Sequence, residues 1–292
     1  MRKFRFVDTM RSFIMYWREY SGRSGEDMFA GWLTDYISNY PEILISEVSY
    51  WRGFESLKSH MIENVLPGID GLIHEVIEGW MNLLQNLDTV YEKASRKLEF
   101  IRPPIIEIYV GSGWKSRWVS SILDEPALFL DLGGIAKLGW SDTHNIRGVL
   151  AFGLGQLHHA LARGGAEELA KLEEDPFLRL YSQGYAQFLE NLVLEEDSWH
   201  GTSGESWLKE CREKERLLAE KYLEGSMKRD VEGFYDPELR IAGLSFTGRY
   251  LGYRLVSSLH ESGLSLNQLS KLSEGEARRL AQEFLKKLSR GR

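Results

Sequence analysis

Apolar residues recur every three or four positions through the first hundred residues, the spacing that lays one face of a helix against a core. Met10, Phe13, Ile14 and Trp17 share such a face, with Asp8 or Thr9 placed to cap it. Ser21–Gly25 breaks the pattern. Met28, Trp32, Tyr36 and Ile37 resume it up to Tyr40-Pro41, where a helix must end. Ile43, Ile45, Val48 and Trp51 predict a third helix, and Ile69, Ile73, Val76, Ile77 and Trp80 a long fourth between Ile62 and Leu87. The segment 1–100 therefore reads as a helical subdomain, and 101–292 as a second domain.

After Arg102-Pro103-Pro104 the period shortens. Ile105–Val110 is β-branched and aromatic, a strand. Trp118–Ile122 and Ala127–Leu132 read the same way, with turns at Gly111–Gly113 and Asp124–Pro126 between them. Three short strands with tight turns predict a small antiparallel meander, followed by a short helix from Gly133-Gly134 to Trp140. The remainder returns to helices: 145–163, 166–173, 177–195, 207–223, 246–260, 266–272 and 274–288. The fold class is thus α+β and mostly helical.

The helix over Asn145–Arg163 carries a defect. Gly153 and Gly155 lie in its middle, where each glycine costs about 1 kcal/mol against alanine. Gln156 and His159 interrupt a stripe that is otherwise apolar.

Composition narrows the classes little. The 292 residues carry 36 Lys+Arg against 43 Asp+Glu, a net charge of −7, which argues against a nucleic-acid partner. The single cysteine, Cys211, fits a reducing compartment, and its charged helix offers no histidine partner for a nucleophile. Arg5, Asp8, Arg11 and Arg18 interrupt the basic N-terminus before any secretory apolar core forms, and no apolar run approaches the roughly 20 residues of a membrane span. A cytoplasmic protein with no membrane partner is the expectation.

The chemistry of the 145–163 helix becomes specific through a resemblance. Two histidines at i and i+4 lie side by side on a helix and can share one zinc, with a glutamate after the first as general base. Asn145–Ala160 resembles the active-site helix of gluzincin-type zinc metallopeptidases, especially relatives in which it runs LIAHELGHLHH. On that pattern Phe152 stands at the first histidine, Gly153 at the glutamate and Gln156 at the second histidine. Gln183–Glu190 (QGYAQFLE) resembles the segment EGFAQYLE that supplies the third ligand, with Gln183 at the liganding position. Trp114–Gly139 and Gly248–Tyr253 resemble the strands before the motif and a later GYYLGY helix, so that the likeness spans about residues 100–270.

The resemblance implies a zincin-like fold, with zinc in active relatives. All four key positions here lack a ligand or base, so no catalytic residue, metal or cofactor is expected. Phe152 is expected to occupy part of the metal's space, with Gly153 making room, and Gln156 to pair with Gln183. His159, Tyr250, Tyr253, Trp114 and Trp118 are the candidate cleft residues. The expected function is that of a catalytically inactive pseudo-metallopeptidase, keeping a peptide-binding cleft or a protein-interaction role. The alternative is a hydrolase with a relocated metal site at His159, joined by Glu190 or Glu195. A third reading is a structural role with the cleft closed around Phe152. Substrate, partner identity and oligomeric state have no signature in the chain.

Overall fold

The structure is a computed structural model describing residues 4–113 and 115–291. It is mostly helical, with one four-stranded sheet. The chain divides into two compact units. One comprises Met1–Asp88 and Pro103–Ile146, the other Thr89–Arg102 and Arg147–Arg292. The expected N-terminal helices and the strands therefore share a unit, instead of parting near residue 100.

The first unit contains β1 (Arg5–Asp8), α1 (Met10–Tyr20), α2 (Gly25–Gly31), α3 (Pro41–Tyr50), α4 (Phe54–His60) and most of α5 (Leu66–Lys97). It continues with β2 (Ile105–Tyr109), β3 (Arg117–Ile122), β4 (Glu125–Asp131) and α6 (Leu132–Lys137). The strand order is β1-β2-β4-β3. The expected antiparallel meander is corrected to a mixed sheet. Only β3 and β4 run antiparallel; β2 is parallel to both β1 and β4, in a register that pairs Val7 with Glu107 and Glu107 with Phe129.

Two physical causes account for this. Leu123 and Asp124 both hold positive φ (49° and 65°), the two-residue geometry that closes a twisted hairpin between β3 and β4. The Gly111–Gly113 segment closes no hairpin because buried carboxylates tie it down. Asp131 accepts from Gly111 N (2.9 Å), Gly113 N (2.8 Å) and, capping α6, Gly133 N (2.9 Å). Glu47 on α3 accepts from Ser112 Oγ (2.6 Å), Ser112 N (3.3 Å) and Tyr109 Oη (2.9 Å). Burial raises Asp131 to about 6, against the pull of its backbone donors, and raises Glu47 to about 7 with help from the Asp131 charge. Glu107, in the middle of β2, is fully buried with neither carboxyl oxygen bonded among the described residues; burial and then Glu42 raise it to about 8.

The second unit holds α7 (Thr143–Arg163) from Arg147 onward, α8 (Ala166–Glu173), α9 (Pro176–Leu194), α10 (Glu205–Glu213), α11 (Glu215–Lys228), α12 (Thr247–Glu261), α13 (Leu266–Ser270) and α14 (Glu274–Ser289). The expected helix over 207–223 is two helices, broken at Lys214. Asp175 starts α9 by accepting from Phe177 N and Leu178 N, with Pro176 at the first helical position. The helices α9 and α12 cross where Gly184 meets Gly252. A Cβ on Gly184 would stand 2.1 Å from the carbonyl carbon of Gly252, and one on Gly252 2.3 Å from Leu180 O. Among the described residues no helix is long and apolar enough to cross a membrane.

Candidate functional site

The antiparallel packing of α7 on α9 sets which side chains meet. Gly148 lies beside Glu190, Gly155 beside Ala186 and Leu189, and His159 beside Tyr181 and Tyr185. Phe152, at the first-histidine position of the zinc pattern, is fully buried. Its ring meets His200 edge-on (centroids 5.4 Å, 78°), and the Arg249 guanidinium carbon lies 5.1 Å from its centroid. Gly153 is buried as well.

Beneath this ring lies a buried polar network. Glu190 Oε1 accepts from Ser198 Oγ (2.7 Å) and His200 N (3.3 Å), while Oε2 stands 2.8 Å from His200 Nδ1 and 3.4 Å from Arg249 Nη2. Arg249 also donates through Nε to Gln187 Oε1 (3.0 Å) and through Nη1 to His200 O (3.0 Å). Gln187 Nε2 in turn donates to Ser198 O (2.8 Å) and Asn191 Oδ1 (3.0 Å). Burial lowers Arg249 to about 10 while the Glu190 charge opposes the shift, so the guanidinium stays charged at neutral pH. A buried charge of either sign needs such a partner. Gly148 makes room for the assembly: a Cβ there would come within 2.5 Å of His200 Cβ and 2.8 Å of Glu190 Oε1.

The expected amide pair across α7 and α9 does not form. Gln183 donates to Glu173, and Gln156 Oε1, half-buried, has no partner among the described residues. The register explains why. On α9, Gln183 sits near the level of His159 and not of Phe152, because the helices run antiparallel.

The relocated centre is not assembled either. His159 is fully buried, its Nε2 accepts from Arg163 Nε (2.8 Å), and Arg163 is anchored to Leu272 O. Burial, then the Arg163 charge, push His159 well below its usual range, so it is neutral. His158 hydrogen-bonds Tyr185 Oη (3.0 Å), and burial lowers it to about 4. Glu190 is committed to His200 and Arg249, and Glu195 to Lys97 (2.8 Å). Among the described residues no three His, Cys, Asp or Glu side chains converge as metal ligands would.

The other candidates scatter. Tyr250 is fully buried and donates to Glu215 (2.8 Å), which also holds Arg254, so it packs and does not line a cleft. Tyr253 is half-buried against Phe188 and Trp199. Trp118 belongs to β3 of the first unit, stacked on Phe129 (5.6 Å) with its Nε1 donating to Ser46. Trp114 lies outside the described residues. Cys211 is buried and its thiol is raised to about 12, which leaves it unreactive.

Comparison of the chain with family models, with curated proteins and with solved structures yields no match. The Glu190–His200–Arg249 cluster therefore has to be understood from its own chemistry. It is buried, and the Glu190 carboxylate, the Arg249 guanidinium and His200 Nδ1 are directed at one another. Its evident physical work is to fasten the Ser198–His200 segment to α9 and α12. Sequence reasoning missed His200 and Arg249 as members. A signal existed: Arg249 and Glu190 are opposite charges inside two strongly apolar helices, and buried charges come in pairs.

Proposed function

We propose that this protein is a catalytically inactive, zincin-like pseudo-metallopeptidase that acts by binding a peptide or protein partner. The observation that carries the reading is the environment of Phe152. A hydrocarbon ring occupies the position where the resemblance calls for a metal-ligating histidine, and the Arg249 guanidinium that lies against that ring is already paired with Glu190. The neighbouring Gly153 has no side chain to act as base. A carboxylate at Gly153 without zinc would be an unpaired buried charge, costing several kcal/mol. With neither a metal-ligating side chain at Phe152 nor a base at Gly153, recognition is the role this reading gives the second unit. Turnover is the direct test. A quenched-fluorescent peptide library incubated with the protein and added zinc is expected to remain uncleaved. Cleavage that tracks the protein through purification and is abolished by a chelator overturns the proposal.

A further inference from the structure

A surface groove of about 450 Å³ opens at the C-terminal end of α9, away from Phe152, and is lined by Phe188, Asn191, Leu192, Glu196, Asp197 and Tyr253. Phe188 and Tyr253 pack on each other, with centroids 6.3 Å apart at 35°, and half-buried Tyr253 is the more exposed of the two. Both rings are backed from behind, Phe188 by His260 (5.2 Å) and Tyr253 by Trp199 (5.1 Å). The rim is acidic, and its charges are unequal. Glu195 pairs with Lys97 and Lys93, and Glu196 with Arg147, whereas exposed Asp197 has no ion-pair partner among the described residues. The last carbonyls of α9 add the negative end of the helix dipole.

Asn191 supplies an independent observation. It is 9% exposed, and its Oδ1 is taken by Gln187, which leaves Nδ2 a donor with no partner among the described residues. Gln187 is itself fixed by Arg249, so the buried network dictates how the Asn191 amide is oriented. A buried donor without an acceptor is costly, and a ligand carbonyl removes that cost.

Two requirements follow from the chemistry. Aromatic faces beside an uncompensated carboxylate select an organic cation. The orphan amide on the same wall selects a hydrogen-bond acceptor a short distance from that cation. A lysine or arginine residue within a peptide carries both. We propose that this groove binds a basic residue of an extended peptide, its side chain lying against Tyr253 and directed at Asp197, its main-chain carbonyl accepting from Asn191 Nδ2. The proposal stands on the groove alone and is independent of the zincin-like reading, whose test is peptide turnover.

Fluorescence anisotropy with labelled Gly-Gly-Lys-Gly-Gly tests it, alongside the arginine and norleucine versions and free cadaverine as a competitor. The lysine and arginine peptides are expected to saturate, with the norleucine peptide and cadaverine each about tenfold weaker or more. Asp197→Asn and Tyr253→Leu are each expected to weaken the lysine peptide by about tenfold while the circular-dichroism spectrum stays unchanged. Asn191→Leu is expected to weaken peptide binding and leave the weak cadaverine binding as it was. No saturation at millimolar peptide, equal binding of the norleucine peptide, or indifference to Asp197→Asn and Tyr253→Leu overturns the proposal. Cadaverine binding as tightly as the lysine peptide overturns the peptide assignment in favour of a small-amine site.

Discussion

Arg249 and Glu190 hold opposite charges in the buried interior, and neither is tolerable there alone. Arg249→Met is expected to cost about 3–5 kcal/mol in urea denaturation, because it strands the Glu190 carboxylate. Adding Glu190→Gln to Arg249→Met should recover much of that loss; a double variant as unstable as the sum of the singles contradicts the pairing. Glu107 makes a second, pH-dependent case. Its folded value of about 8 lies above the ordinary 4.5, so the fold favours the neutral acid. The resulting stabilisation is complete below pH 4.5 and is lost as pH rises through 8. Glu47 and Asp131, raised to about 7 and 6, act in the same direction over lower windows. Glu107→Gln is therefore expected to flatten the decline of stability between about pH 4.5 and 8, by an amount on the order of 5 kcal/mol at most. An unaltered pH slope refutes the assignment. Neither case was fully legible in the sequence. Glu190 and Arg249 advertise a buried pair because each stands among apolar and small neighbours in its helix. Glu107 looks like the polar member of an alternating strand, and its burial follows only from β2 lying between β1 and β4.

Among the elements, the crossing of α9 and α12 is the closest and the least tolerant. Gly184 and Gly252 meet backbone to backbone, with no flexible side chain able to yield. Gly184→Ala is expected to cost about 3 kcal/mol or more, and to speed hydrogen exchange in α9 and α12 ahead of β2 and β4. A stability change under half a kcal/mol contradicts the packing. Helix positions were readable because each helix carries its own 3.6-residue signal. The break at Lys214 was not readable, since charged residues continue across it without glycine or proline. Sheet topology was half readable. The β3–β4 hairpin is local, closed by Leu123 and Asp124, whereas the pairing of β1 with β2 joins residues about a hundred positions apart and leaves no local trace. A parallel pair always needs such a crossover, and short strands do not announce it.

For the molecule as a whole, the α+β class and the preponderance of helix follow from the apolar periods alone. The compact units do not, because α5 and α7 each contribute to both. The four positions singled out by the zinc pattern also part company in three dimensions. Phe152 and Gly153 are buried, Gln156 is half-buried with its carbonyl oxygen unbonded, and Gln183 turns to Glu173. One-dimensional spacing placed all four in a single site, but helix register decides whether side chains meet. The helix that resembles a zinc-peptidase motif carries a packed aromatic ring at the position that the resemblance gives to the first ligand. The most direct test is the zinc content of the protein purified without chelator, then dialysed against micromolar zinc and measured by elemental analysis. Far less than one zinc per chain is expected, with an unchanged melting temperature with or without the metal. One tightly held zinc per chain, raising the melting temperature and removable only by chelation, contradicts it.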